Sequence, residues 1–182
     1  MPRYILTGAP GAGKTAVLRL LEINGHTVVE EAATDVIALE HAHGHDQRHD
    51  HAFIDKIITL QRQRSVRAAE NATVFFDRSP VCTLALSRYL GLTASPALIR
   101  EVDRVLTQGV YEPTVFFIRN LGFVEPTSAR RITFEDSLVF ERFHEQAYNE
   151  LGFQLIEVPA APLIDRVKLI QQTVDQLEQR PG

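Results

Sequence analysis

A chain of 182 residues is long enough to bury a sizeable core and fits the size of one domain. Its 45% hydrophobic and 23% charged content is that of an ordinary globular protein, and a net charge of −4 argues against a general nucleic-acid-binding surface. The single cysteine, Cys82, excludes an internal disulfide; with no apolar run of membrane-spanning length and no charged-then-apolar leader, a cytoplasmic location is expected.

In chain order, Arg3 to Thr7 reads as a strand, and Lys14 to Ile23 as a helix stopped by Asn24-Gly25. A short strand from His26 to Glu30 leads into a helix from Ala32 to about Glu40. The polar segment His41 to His51 reads as a loop. Its His41, His45 and His49 would share a face if helical, but Gly44 interrupts them and no cysteine joins, so a solvated loop is the better reading than a metal site. A long helix, about Ala52 to Asn71, is expected to turn Phe53, Ile54, Ile57, Ile58 and Val66 inward, and Arg62, Arg64 and Arg67 outward or toward a cleft.

The strand Thr73 to Phe76 ends in Asp77-Arg78-Ser79-Pro80, where Ser79 caps the next helix and Pro80 suits its first turn. Gly91 stops that helix, and another runs from Pro96 to about Thr107 behind a Ser95 cap. Thr114 to Ile118 is the fourth strand. Arg119 to Ile132 reads as irregular and carries Arg130-Arg131. Thr133 and Asp136 have the spacing of a capping box, opening a helix that ends near Gly152, with Phe134, Leu138, Phe143, Ala147 and Leu151 along one side. Gln154 to Val158 is the fifth strand. The turn Pro159 to Pro162 leads into a last helix whose Leu163, Val167, Ile170, Val174 and Leu177 form a stripe. Packing against the sheet is the preferred reading of that stripe over a dimer seam, and monomer and homodimer both fit the sequence.

Five strands alternating with helices predict a parallel sheet covered on both faces, a three-layer α/β/α fold. Right-handed crossovers gather every strand's C-terminal end on one edge. That edge receives Gly8-Ala9-Pro10-Gly11-Ala12-Gly13-Lys14-Thr15, which matches G-x-x-x-x-G-K-[ST], the phosphate-binding loop of nucleoside-triphosphate enzymes. The glycines let successive backbone N–H groups face one phosphate, and the helix that begins at Lys14-Thr15-Ala16 adds its positive end. Lys14 reaches the β- and γ-phosphates as a point charge, and the Thr15 hydroxyl suits Mg²⁺.

Asp77 closes an apolar strand, where a carboxylate can hold a Mg²⁺ water or take the acceptor's proton; capping the next helix is its plainer role. Arg78 can bind an anionic part of the acceptor or the transferring phosphate, or bridge to a neighbouring carboxylate. Glu31 is a candidate acceptor base with Glu30 as its rival, because strand register is uncertain by one residue. Arg130 and Arg131 present guanidinium forks suited to phosphate oxygens, in a segment, about 119–136, read as a lid. His144 reads as a packed or half-exposed residue, and Cys82 as a small buried one.

The phosphate loop, Val29-Glu30-Glu31-Ala32-Ala33, Phe75-Phe76-Asp77-Arg78-Ser79, the lid arginines and Ala147-Tyr148-Asn149-Glu150-Leu151-Gly152-Phe153 occur in an order that resembles the small AAA-type P-loop ATPases related to the ribosylnicotinamide kinase domain of NadR. Asp77-Arg78-Ser79 is more distantly similar to an element of deoxynucleoside and thymidylate kinases. The resemblance implies a P-loop NTPase core of the nucleoside/nucleotide-kinase kind, ATP with Mg²⁺, and a base-contacting turn near Val158 to Pro162 that includes Pro159. It also implies an acceptor pocket formed by Glu31, Asp77, Arg78 and the helix containing Gln61 and Arg62. Many relatives carry a further acidic residue where this chain has Cys82. The expected function is an ATP-dependent kinase for a small hydroxyl-bearing metabolite of nucleoside or ribosyl type. The alternative is a nucleotide-gated regulatory ATPase without such activity.

Overall fold

The structure, a computed structural model, describes residues 1–44, 50–69, 71–122 and 133–179. Its elements are β1 (Arg3–Thr7), α1 (Lys14–Ile23), β2 (Thr27–Val29), α2 (Ala32–Ala42), α3 (His51–Arg67), β3 (Val74–Asp77), α4 (Pro80–Tyr89), α5 (Pro96–Thr107), β4 (Thr114–Ile118), α6 (Phe134–Glu150), β5 (Gln154–Val158) and α7 (Leu163–Glu178). The five strands form one parallel sheet in the order β2-β3-β1-β4-β5. This is the α/β fold of P-loop NTPases.

Alternation along the strands builds the two layers. Tyr4 and Leu6 of β1, Phe75 of β3, and Phe116 and Ile118 of β4 pack on one face against Val17, Leu18 and Leu21 of α1 and Val167, Ile170 and Val174 of α7. Ile5, Val74, Phe76 and Val115 face the other way, onto Val81, Cys82 and Ala85 of α4 with Ala147 and Tyr148 of α6. Each of the large side chains buried there contributes about 1.5–3 kcal/mol. A satellite core joins α2, α3 and α5 through Ile37, Ile54, Ile57, Leu98 and Val102. Val167, Ile170 and Val174 of the α7 stripe are thus covered by the sheet and Leu177 is partly buried against it, whereas Leu163, at the start of the helix, is exposed.

Two faces differ from expectation. Val66 is 69% exposed, because the buried stripe of α3 continues from Ile58 through Gln61 to Ser65 and leaves the next residue about 100° away. On α6 the buried side is Ser137, Phe140, Glu141, His144, Ala147 and Tyr148, so Leu138 lies exposed. No helix among the described residues is long and apolar enough to cross a membrane.

Candidate active site

The site lies where the order of the sheet reverses. β1 is flanked by β3 and β4, and Leu6 pairs with Asp77, so the loop after β1 and the end of β3 leave the sheet side by side. Gly8 has φ +133°, and a β-carbon there would stand 2.3 Å from the Ile118 carbonyl oxygen; only glycine lets the loop pass the end of β4. Gly13, at φ +81°, begins α1 without a side-chain cap, and the first turn carries no acidic residue. The N-terminal N–H groups of α1, at Lys14, Thr15 and Ala16, therefore keep their affinity for an external anion.

Lys14 is buried over its own loop, donating to the carbonyls of Gly8 at 3.0 Å and Ala9 at 2.7 Å. Thr15 and Ala16 are exposed on the first turn of α1, whereas Ala9, Pro10 and Ala12 are buried and Gly11 is exposed at the loop's crest. Asp77 is 5% exposed at the C-terminal end of β3.

Arg78 is the one non-glycine residue with positive φ, +76°, among the described residues. Its N–H donates to Leu6 O at 3.0 Å, which keeps the chain beside β1 as it turns into α4. Its guanidinium is held at two points. Nε donates to Glu31 Oε1 at 2.5 Å, and Nη1 to His144 Nε2 at 2.9 Å. Burial is the largest single influence on this guanidinium and would lower its pKa; the charges around it, Glu31 first and Asp77 among them, together with the hydrogen bond to Glu31, outweigh that and raise it. His144 is fully buried. Its Nδ1–H donates to Phe140 O at 2.9 Å, which leaves Nε2 as the acceptor that Arg78 needs. Burial, followed by the charge of Arg78, holds its pKa well below 6.5, so the imidazole is neutral.

The structure decides between the two glutamates. Glu31 sits at the N-cap of α2 facing Arg78 and accepts from Thr34 Oγ1 at 2.8 Å. Glu30 points to solvent and pairs with Arg19. Arg64 fixes this segment from behind, donating to the carbonyls of Glu30 at 2.9 Å and Glu31 at 2.7 Å while pairing with Asp35.

Below the site, Tyr148 Oη meets Ser79 Oγ at 2.7 Å and Cys82 Sγ at 3.1 Å, and Cys82 reaches Thr7 Oγ1 at 3.2 Å. Burial pushes the Tyr148 pKa well up, so its phenol keeps its proton. Gln61 donates to Ser79 O at 3.3 Å and accepts from Thr83 Oγ1 at 3.1 Å, inside the expected pocket wall. Arg62 is not there: one residue on along α3, it is 61% exposed and approaches Glu101 of α5 at 3.6 Å.

Arg119 leaves β4 over the Phe117 ring, 4.4 Å from its centroid, and pairs with Glu141, Glu145 and Glu157. Pro159 is exposed in the adjoining turn, beside the Arg119 N–H that donates to Val158 O. Arg130 and Arg131 lie outside the described residues, as do His45 and His49; among the described residues no group of histidine, cysteine or acidic side chains could hold a metal ion.

Sequence reasoning thus reached Lys14, Thr15, Asp77, Arg78 and Glu31, which the fold brings to one edge. It placed Arg64 outward or toward a cleft without its hold on the Glu30 and Glu31 carbonyls, and it missed the contact of His144 with Arg78. The signal for His144 is its place on the α6 face one turn from both Phe140 and Tyr148, a face that also buries the polar Ser137 and Glu141.

The family model described as an AAA domain matches residues 3–166. A comparison with curated protein sequences finds no match. Among solved structures, NadR in complex with NAD and AMP-PNP superposes with a TM-score of 0.68 at 14% identity, covering 100% of this chain and 51% of that one; the chain thus spans about half of NadR. Deoxyadenosine kinase from M. mycoides, with products dCMP and dCDP, gives 0.60 at 14% identity over 96% of this chain and 99% of that one. Shikimate kinase from Acinetobacter baumannii, in complex with shikimate, gives 0.60 at 17% identity over 99% and 96%.

Proposed function

Since the chain belongs to the AAA domain family and shares the fold of small P-loop kinases, we propose that it binds ATP with Mg²⁺ and transfers the γ-phosphoryl group to a hydroxyl of a small nucleoside- or ribosyl-type acceptor. The observation that carries this reading is the placement of the buried Glu31–Arg78 pair and Asp77 beside the loop Gly8–Thr15. A bare ATP-binding module needs the loop; an acceptor pocket needs the second set of groups.

The division of labour follows from the chemistry. The backbone of Gly8 to Ala16 cradles the phosphates, and Lys14 exchanges its two carbonyl contacts for phosphate oxygens. The Thr15 hydroxyl and Asp77 carboxylate are hard oxygen donors of the kind Mg²⁺ takes. Bound there, the ion would neutralise phosphate charge. Asp77 takes up the acceptor hydroxyl's proton as that oxygen bonds to the γ-phosphorus and the bond to the ADP oxygen breaks. Glu31 and Arg78 orient the acceptor through polar atoms fixed by their shared ion pair, and Pro159 packs on the base. Arg130 and Arg131 supply guanidinium donors to the transferring phosphoryl group.

The test is ADP release by the purified chain with Mg-ATP across a panel of nucleosides and ribosyl compounds. Acceptor-dependent release is expected, with Asp77→Asn lowering kcat by about 10²–10⁴. Tight Mg-ATP binding with no turnover on the whole panel would favour a nucleotide-gated regulatory role. Failure to bind Mg-ATP would overturn both.

A further inference from the structure

The apolar stripe of α7 contains one cation. Arg166, in its second turn, is 3% exposed. Its Nη2 donates to Ala12 O at 2.9 Å and to Arg119 O at 3.0 Å. Nη1 occupies the space beside Gly13, where a β-carbon would meet it at 3.0 Å. Nε is buried without an acceptor, and no carboxylate lies within ion-pair distance among the described residues. Burial lowers the pKa of this guanidinium, yet arginine keeps its proton at any ordinary pH. A buried charge with no counter-ion within reach among the described residues is costly to the fold and calls for an explanation in function.

The geometry of the peptide unit supplies one. In a trans peptide the carbonyl of one residue and the N–H of the next point in opposite directions. By holding the Ala12 carbonyl, Arg166 fixes the Gly13 N–H on the side of the peptide that faces away from its own guanidinium. The flanking glycines, Gly11 and Gly13, both have φ +81°, so this peptide has little intrinsic reason to stay put. The same guanidinium grips the Arg119 carbonyl at the exit of β4, tying loop, sheet edge and α7 together. Its charge stands behind the uncapped start of α1.

We propose that Arg166 is a positioning residue for nucleotide phosphates: it sets the Ala12–Gly13 peptide for phosphate binding, and the bound polyphosphate is a counter-charge that the described residues do not place within ion-pair distance. The inference rests on the nucleotide-binding reading above and deepens it.

Two variants test it, Arg166→Met and Arg166→Lys, with calorimetric affinities for Mg-ATP, Mg-ADP and AMP and the unfolding temperature of each nucleotide-free protein. Arg166→Met is expected to weaken Mg-ATP about tenfold or more, with a larger loss for Mg-ATP than for AMP, because the effect acts on phosphates near the loop. Arg166→Lys keeps the charge but lacks the fork that spans two carbonyls. It is expected to fold and to weaken Mg-ATP severalfold, falling between wild type and Arg166→Met. A purely structural arginine would lower the unfolding temperature while leaving the ratio of Mg-ATP to AMP affinity at its wild-type value, and that result would overturn the proposal. So would an Arg166→Lys protein that binds Mg-ATP as wild type does, which keeps the test decisive even if Arg166→Met fails to fold. Wild-type protein that binds no Mg-ATP would instead sink the nucleotide-binding reading itself.

Discussion

Gly8 and His144 show how single positions carry constraints of different kinds. At Gly8 the constraint is steric: the loop crosses the end of β4 so closely that a methyl group would overlap the Ile118 carbonyl, in a region of φ that side chains avoid. Gly8→Ala is expected to cost about 1–3 kcal/mol by urea unfolding, and more if the loop cannot shift. An unchanged unfolding midpoint would mean that the close approach is not real. At His144 the constraint is electrostatic. Arg78 and Lys14 disfavour its protonation, Glu31 favours it, and burial dominates. Below pH 6.5 the unfolded chain takes up a proton at this residue and the folded chain does not. Stability therefore falls as pH drops below that value, by up to about 1.4 kcal/mol per pH unit from this group, and is level above it. His144→Gln retains an acceptor for Arg78 and should flatten the slope of unfolding free energy against pH by one proton. Equal slopes for the two proteins would show that His144 protonates within the fold.

At the scale of the element, local chemistry was legible and facing was not. Ser79, Ser95 and Thr133 each accept from the backbone N–H their sequence context predicts, on Val81, Leu98 and Asp136. Caps depend on neighbours within one turn, so the sequence displays them. A helix's buried side depends on what packs against it. That is why Val66 and Leu138 ended outside, and why Ser65, Ser137 and Glu141 ended inside. Glu30 and Glu31 illustrate the same limit in a strand: β2 stops at Val29, and the start of α2 turns Glu31 inward. Arg166 stands one residue before Val167 and four before Ile170, a stripe position that apolar patterning passes over. A charged residue on an apolar helical face is the readable sign of such a group, though not of its partners, which come from Ala12 and Arg119.

At the scale of the whole molecule, alternation of strands and helices implied a parallel sheet, and the parallel sheet implied where a site would gather. The lateral order β2-β3-β1-β4-β5 has no such signature, because it is fixed by pairings between distant segments. That order bears on how the protein assembles. β1 has no neighbour in the sheet nearer in sequence than β3, and its other flank waits for β4. Such remote pairings are slow to close. The curve of backbone after β1 rests against Ile118, so a nascent chain that has not yet delivered β4 lacks the surface on which that curve is moulded. The phosphate loop is thus a late product of folding, although it is made early in synthesis. In pulsed hydrogen exchange during refolding, the amides of Ala12 and Val17, which donate to Ala9 O and Gly13 O, should gain protection together with those of β4; protection that precedes β4 would reverse the order.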